Sequence, residues 1–149
     1  MNTNKRILGI DLGIKRIGLA LSDKFGISIR ALNNLYPRSR QEDILYIVQL
    51  CSNLHVKYVI IGYPLLYRHG FEVENLISKR AVAFSDCLFR EFNKNHLKII
   101  VYLINESYTS KIAVKRLAKL NISKKKRKLL IDGEVACILI EIFLETIVF

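Results

Sequence analysis

Proline and glycine are scarce in this 149-residue chain, at 2 and 7 residues, and no repeat or low-complexity tract interrupts it. With 51% hydrophobic residues, that scarcity excludes a disordered or linker-rich chain. It implies one compact domain over residues 1–149, long enough to bury about two-thirds of its unfolded surface. Cysteine is sparse too: Cys51, Cys87 and Cys137 are odd in number and form no C-x-x-C, while His55, His69 and His96 are equally scattered. Neither a disulfide framework nor a zinc site is implied, and the thiols read as small core residues in a reducing cytoplasm. Long apolar runs are missing. Lys5 and Arg6 precede a run that Asp11 cuts short, which does not fit a signal peptide. The apolar C-terminal stretch carries Glu134, Glu141 and Glu145 on one helical face, opposite Val135, Ile138, Leu139 and Ile142, so it is amphipathic rather than membrane-spanning. Acids are few, 13 against 24 lysines and arginines, leaving a formal charge of +11. That surplus favours a nucleic acid partner over a membrane surface.

What is present reads as a mixed α/β chain. Residues 5–11, 14–22 and 26–33 are predicted strands joined by turns at Gly13 and Gly26, an antiparallel meander. Ser39 and Glu42 form a capping box before Ile44, Ile47, Val48, Cys51 and Leu54 at helical spacing. "KYVIIGYP" gives a buried strand ended by Gly62 and Pro64, followed by a helix with Ile77, Ala81, Phe84 and Leu88 on one face. "LKIIVYLINE" is a fifth strand. Thr109 or Ser110 then caps a helix with Ala113, Leu117 and Leu120 on its apolar face, and a last helix is predicted to start near Ile131. The order βββαβαβαα predicts a five-stranded mixed sheet with helices on both faces: three antiparallel strands plus two parallel ones. With strand one central, the strand order reverses beside it, where ligands of open α/β sheets bind.

Three acids fall at that place. Asp11 ends strand one, Glu106 ends strand five, and Asp132 lies in the predicted first turn of the last helix. Converging carboxylates repel one another unless a hard divalent cation sits among them, and a magnesium-type site can activate water for in-line attack on a phosphodiester. Singly, each acid is also explicable as a turn residue, a strand-end acid or a helix-dipole partner.

The segments carrying these acids resemble one family. "GIDLGIKRIGLALSD" is similar to the opening motif of the YqgF (RuvX) family, whose members are assigned as pre-16S rRNA nucleases and are related to Holliday junction resolvases of the RNase H-like superfamily. "VIIGYPLLYRHG", "NESYTSKIAVKRL" and "KKKRKLLIDGEVACILIEIFL" resemble its later motifs in the same order across essentially the whole chain. The resemblance implies an RNase H-like fold and places Asp11, Glu106 and Asp132 at the family's catalytic acids, with Mg2+ or Mn2+ as cofactor. It also implies cleavage by water, leaving a 5′-phosphate and a 3′-hydroxyl, with the 5′ region of precursor 16S rRNA as substrate. The chain departs from the pattern at Ser107, where an arginine is usual; Lys111 or Arg68 in nearby loops are candidates to replace it. His69 stands where an acid is common, and Val135 where alanine is usual.

Lys15 and Arg16 follow Asp11, while Lys124, Lys125, Lys126, Arg127 and Lys128 precede the helix bearing Asp132. Both groups are candidates to hold a phosphate backbone, the alternative being a solvated loop or nonspecific tether. Expected partners are precursor rRNA, with branched DNA as alternative, and ribosomal assembly intermediates. A non-catalytic nucleic-acid-binding factor competes with the nuclease reading, motivated by Ser107. A sugar-kinase or actin-like ATPase shares the Asp-x-Gly turn, but 149 residues provide no second lobe to enclose ATP.

Overall fold

The computed structural model describes residues 4, 6–64, 66–73, 75–106 and 109–146, with residues 66–68 and 71–73 described by their backbone. Its main sheet has the order β3-β2-β1-β4-β7. These strands are β1 (Ile7–Leu12), β2 (Ile17–Ser22), β3 (Ile29–Ala31), β4 (Tyr58–Tyr63) and β7 (Ile100–Asn105). β2 runs antiparallel to both β1 and β3, whereas β4 is parallel to β1 and β7 to β4. The predicted meander, central first strand and parallel pair are all present.

Period-two alternation sorts each strand between two cores. Leu8, Ile10, Leu19, Val59 and Ile61 face α1 (Arg40–Asn53) and α2 (Leu76–Lys94), where Ile47, Leu88 and Phe92 are almost completely buried. Ile7, Ala20 and Ile60 point the other way, onto Ala136, Leu139, Ile140 and Phe143 of α4 (Lys124–Thr146). Full burial of side chains the size of Phe92 or Phe143 stabilises by about 1.5–3 kcal/mol each. α3 (Thr109–Ala118) packs through Ala113 on Val135 and Ile138, outside α4. Arg116 of α3 pairs with Glu134 and Glu141, so those acids serve a helix–helix contact. The capping box is formed as the sequence requires: Ser39 Oγ accepts from Glu42 N at 3.1 Å, and Glu42 Oε2 accepts from Ser39 N at 3.1 Å.

Several boundaries differ from the sequence expectation. Lys5 lies outside the described residues. Residues 13–16 form a turn, held by Arg80 Nη1 of α2 donating to Gly13 O at 3.0 Å, so β2 begins only at Ile17. Asp23 Oδ1 accepts from Phe25 N and Ile27 N, keeping the chain turning through Gly26 (φ 72°) and shortening β3 to Ile29–Ala31. Ile77 is 44% exposed because the buried stripe of α2 runs through Ser78, Ala81, Phe84, Leu88 and Phe92. Leu120 lies past the end of α3 and is 52% exposed. A hairpin of β5 (Leu66–Arg68) and β6 (Phe71–Val73) follows β4, where no strands were expected.

The largest correction concerns the last helix, which starts at Lys124 rather than near Ile131. Ser123 caps it, its Oγ accepting from Lys126 N at 3.2 Å, and Lys, Arg and Leu are good helix formers. The Lys-Arg run is therefore helical rather than a loop. Asp132 stands in the third turn, not the first.

Candidate active site

Alternation also fixes where the acids go. Ile7, Gly9 and Asp11 of β1 share the face that looks toward α4, as do Tyr58, Ile60 and Gly62 of β4. Tyr102 and Ile104 of β7 lie on the same face, and Glu106 continues their alternation just past the strand end. Asp11 and Glu106 thus emerge on one side of the sheet at the carboxyl ends of parallel strands separated only by β4.

Glycines make the room. Across the ladder from Asp11 stands Gly18 of β2, and any Cβ there would overlap the Asp132 carbonyl and Cβ. Missing that carbon, Gly18 lets α4 lie directly on the sheet and brings Asp132 beside Asp11. At the end of β4, a Cβ on Gly62 would collide with the Glu106 carboxylate. The turn after Asp11 is tight as well: a Cβ on Gly13 would run into the Arg16 carbonyl. Thr109, at the start of α3, donates from Oγ1 to Glu106 O at 2.8 Å and from its backbone N–H at 3.1 Å, fixing the main chain that bears Glu106. The cap expected at Thr109 or Ser110 is thus a first helical residue reaching back.

The acids meet. Asp11 is within hydrogen-bonding reach of both Glu106 and Asp132. Burial, and then the charges of Glu106 and Asp132, push its carboxyl up to about 8. Glu106 is raised to about 7, chiefly by burial and further by the Asp132 charge, with the bond to Asp11 opposing. Glu106 Oε2 is buried without a hydrogen-bond partner among the described residues. An orphan carboxylate oxygen costs about 1–3 kcal/mol or more, so this corner suits a cation. Hard oxygen donors of this kind fit Mg2+ or Mn2+ better than zinc. Even so, among the described residues no group of three or more His, Cys, Asp or Glu stands arranged to hold a metal ion. Asp132 Oδ2 is already engaged by Arg16 Nε at 3.1 Å.

That ion pair gives Arg16 a partner the sequence did not show. Only about one-fifth of either side chain is exposed, and the guanidinium is turned onto an acid rather than left open in the turn. Lys15 is exposed, as are Lys124, Lys125, Lys126 and Lys128, while Arg127 is half-buried. The first turn of α4 holds no acid, so its lysines sit at the positive end of the helix dipole. Each cation there is unfavourable by about 0.3–1 kcal/mol unless an anion is present. Lys111 belongs to the first turn of α3, not a loop. Ser107 and the Arg68 side chain lie outside the described residues. Sequence reasoning missed the Arg16–Asp132 pair, the brace from Arg80 and the steric role of Gly18. Only Gly18, a glycine inside a predicted strand, left a visible signal.

The chain matches a family model described as "RuvX: Holliday junction resolvase" over residues 5–146. It is 29% identical over 144 residues to a protein of Clostridium acetobutylicum named "Putative pre-16S rRNA nuclease", covering 95% of this chain and 99% of that one. A Syntrophomonas wolfei protein of the same name is 31% identical over 140 residues, covering 94% of each. Among solved structures, T. thermophilus RuvC in complex with a Holliday junction substrate superposes with a TM-score of 0.58 at 13% identity, covering 95% of this chain and 97% of that one. The fowlpox virus Holliday junction resolvase gives 0.50 at 12% identity, covering 96% and 99%. The fold is RNase H-like, as these resolvases share it.

Proposed function

This chain belongs to the RuvX family, and on that premise we propose that it is a metal-dependent endonuclease that hydrolyses RNA phosphodiester bonds to mature the 5′ end of precursor 16S rRNA. The observation that carries this reading is the meeting of Asp11, Glu106 and Asp132 beside the basic start of α4. Asp11, which reaches both other acids, would hold the ion together with Glu106 and Asp132. Bound there, Mg2+ or Mn2+ supplies neutralisation of the acids and Lewis-acid activation of water and leaving oxygen.

The chain's own groups do the rest. Arg16 balances Asp132 and, as a planar donor held at the acids, would also be placed to face a phosphate oxygen of a bound strand. Lys124, Lys125, Lys126 and Lys128 with Lys15 hold backbone phosphates on either side of the scissile one. Arg127, being half-buried, contributes less. The protein works on precursor rRNA or ribosomal assembly intermediates in the cytoplasm. No helix of the described residues is long and apolar enough to cross a membrane.

Branched DNA is the second reading, because the matching family model is described as a Holliday junction resolvase. Precursor rRNA fragments and four-way DNA junctions, each incubated with Mg2+, Mn2+ or chelator, separate the two. The expected result is metal-dependent RNA cutting that Asp11→Asn abolishes. Junction cutting alone would exchange the substrate, and tight binding without cleavage under either metal would replace the nuclease by a maturation factor.

A further inference from the structure

Next to the acids, on the other side of α4, lies an open groove of about 310 Å³. One wall is the loop after β3, with Asn33, Asn34 and Tyr36; the other is Leu129, Leu130 and Gly133 of α4. The walls are tied together. Asn34 Nδ2 donates to Leu129 O at 2.8 Å, and a Cβ on Gly133 would come within 3.1 Å of Ala31 Cβ. The loop is also clipped to the start of β2, Ile17 N donating to Leu35 O at 2.7 Å and Leu35 N to Ile17 O at 2.9 Å. Arg16, which reaches Asp132, directly precedes that clip. Groove and acid cluster therefore share one rigid frame: Asp132 looks to the acids and its neighbour Gly133 lines the groove.

The lining is not explained by folding. Tyr36 is 59% exposed, Leu129 41% and Leu130 38%, an apolar surface gathered in one place. Helical spacing puts Lys125 and Lys126 one turn before Leu129 and Leu130 on the same face. An exposed aromatic ring, a carboxamide for hydrogen bonding and an apolar wall, with lysines one helical turn away on the same face, make a set that accepts a flat polar base on an anionic backbone. A protein partner would meet the same lysines as a desolvation cost, and the charge of +11 favours the polyanion.

We infer that this groove is a nucleobase subsite: it takes one unpaired nucleotide of the RNA strand, stacked on Tyr36 and bonded at its edge by Asn33, while Lys125 and Lys126 hold the adjoining phosphates. The inference rests on the nucleic-acid reading above and adds to it a preference for single-stranded RNA near the cut. A base inside a perfect duplex cannot reach Tyr36, so the subsite selects an unpaired nucleotide by its accessible face.

The test uses the full chain carrying Asp11→Asn, titrated by fluorescence anisotropy with a labelled 12-nucleotide oligouridine and with an RNA duplex of equal length. Tyr36→Ala should weaken oligouridine binding about 5-fold to 100-fold and duplex binding less than about 2-fold, while Tyr36→Phe keeps the affinity. An oligouridine bearing 5-iodouridine should photo-crosslink within Asn33–Tyr36. Equal weakening of both RNAs, no weakening, or loss of self-association in place of RNA binding overturns the subsite. Cleavage of precursor rRNA without any single-strand preference through Tyr36 removes the subsite and leaves the nuclease. Single-strand preference through Tyr36 in a wild-type protein that never cuts keeps the subsite and removes the nuclease.

Discussion

Replacing Asp11 by asparagine should make the metal-free protein more stable at pH 8, although the residue stands at the centre of the site. The Asp11 carboxyl titrates near 8 in the fold, held up by burial and by Glu106 and Asp132. In the unfolded chain it titrates near about 4. Between those values the native state binds more protons than the unfolded one, so stability falls as pH rises through the window. Glu106, raised to about 7, adds a loss of the same sign. A carboxyl raised from about 4 to about 8 sets a ceiling of about 5–6 kcal/mol for Asp11 at pH 8. Relaxation of the neighbouring Glu106 keeps the realised gain below that ceiling, and each gain of about 1 kcal/mol raises Tm by about 2–4 °C. Thermal melts in chelator at pH 5, 6, 7 and 8 measure it. The wild type should lose stability with rising pH, and Asp11→Asn should lose less, the gap narrowing toward pH 5 and closing below about pH 4. A variant no more stable than wild type at pH 8, or a flat wild-type profile, refutes the reasoning.

Other consequences follow from the same geometry. Gly62→Ala places a methyl group against the Glu106 carboxylate, so it should leave the fold intact by circular dichroism yet lower cleavage at least about 10-fold by displacing that carboxylate. Gly18→Ala meets α4 backbone at Asp132 rather than a movable side chain, and should cost about 1–3 kcal/mol in urea unfolding. Arg16→Gln removes the partly buried partner of Asp132 and should destabilise the chelated protein by about 1–3 kcal/mol, a loss that saturating Mn2+ reverses in thermal melts. Replacing Lys124 and Lys125 by alanine should reduce the slope of log affinity against log salt for single-stranded RNA by about 1.4.

Most of the sheet was legible because its strands are short apolar runs bounded by glycine or polar residues, and because Ser39 and Glu42 mark the start of α1 without ambiguity. Asp11 and Glu106 could be placed at strand ends for the same reason. Asp132 was found on the right element but in the wrong turn: a run of five cations reads as a loop when charge is weighed above helix propensity, whereas lysine and arginine propagate a helix well. The β5–β6 hairpin escaped because its strands span three residues each. The Arg16–Asp132 pair went unseen because its partners lie 116 residues apart, and no local pattern encodes an ion pair between a turn and a distant helix. The groove at Tyr36 was invisible for the same reason, being made by a loop and a helix that meet only in the folded chain.

The central claim, that Asp11, Glu106 and Asp132 act together as a divalent metal site, is tested most directly by titrating Mn2+ into wild type, Asp11→Asn and Glu106→Gln at pH 8 and following free Mn2+ by electron paramagnetic resonance. Saturable loss of the free signal in wild type, absent from both variants, is the expected result. Equal binding by all three proteins, or none by wild type in the presence of single-stranded RNA, would contradict it.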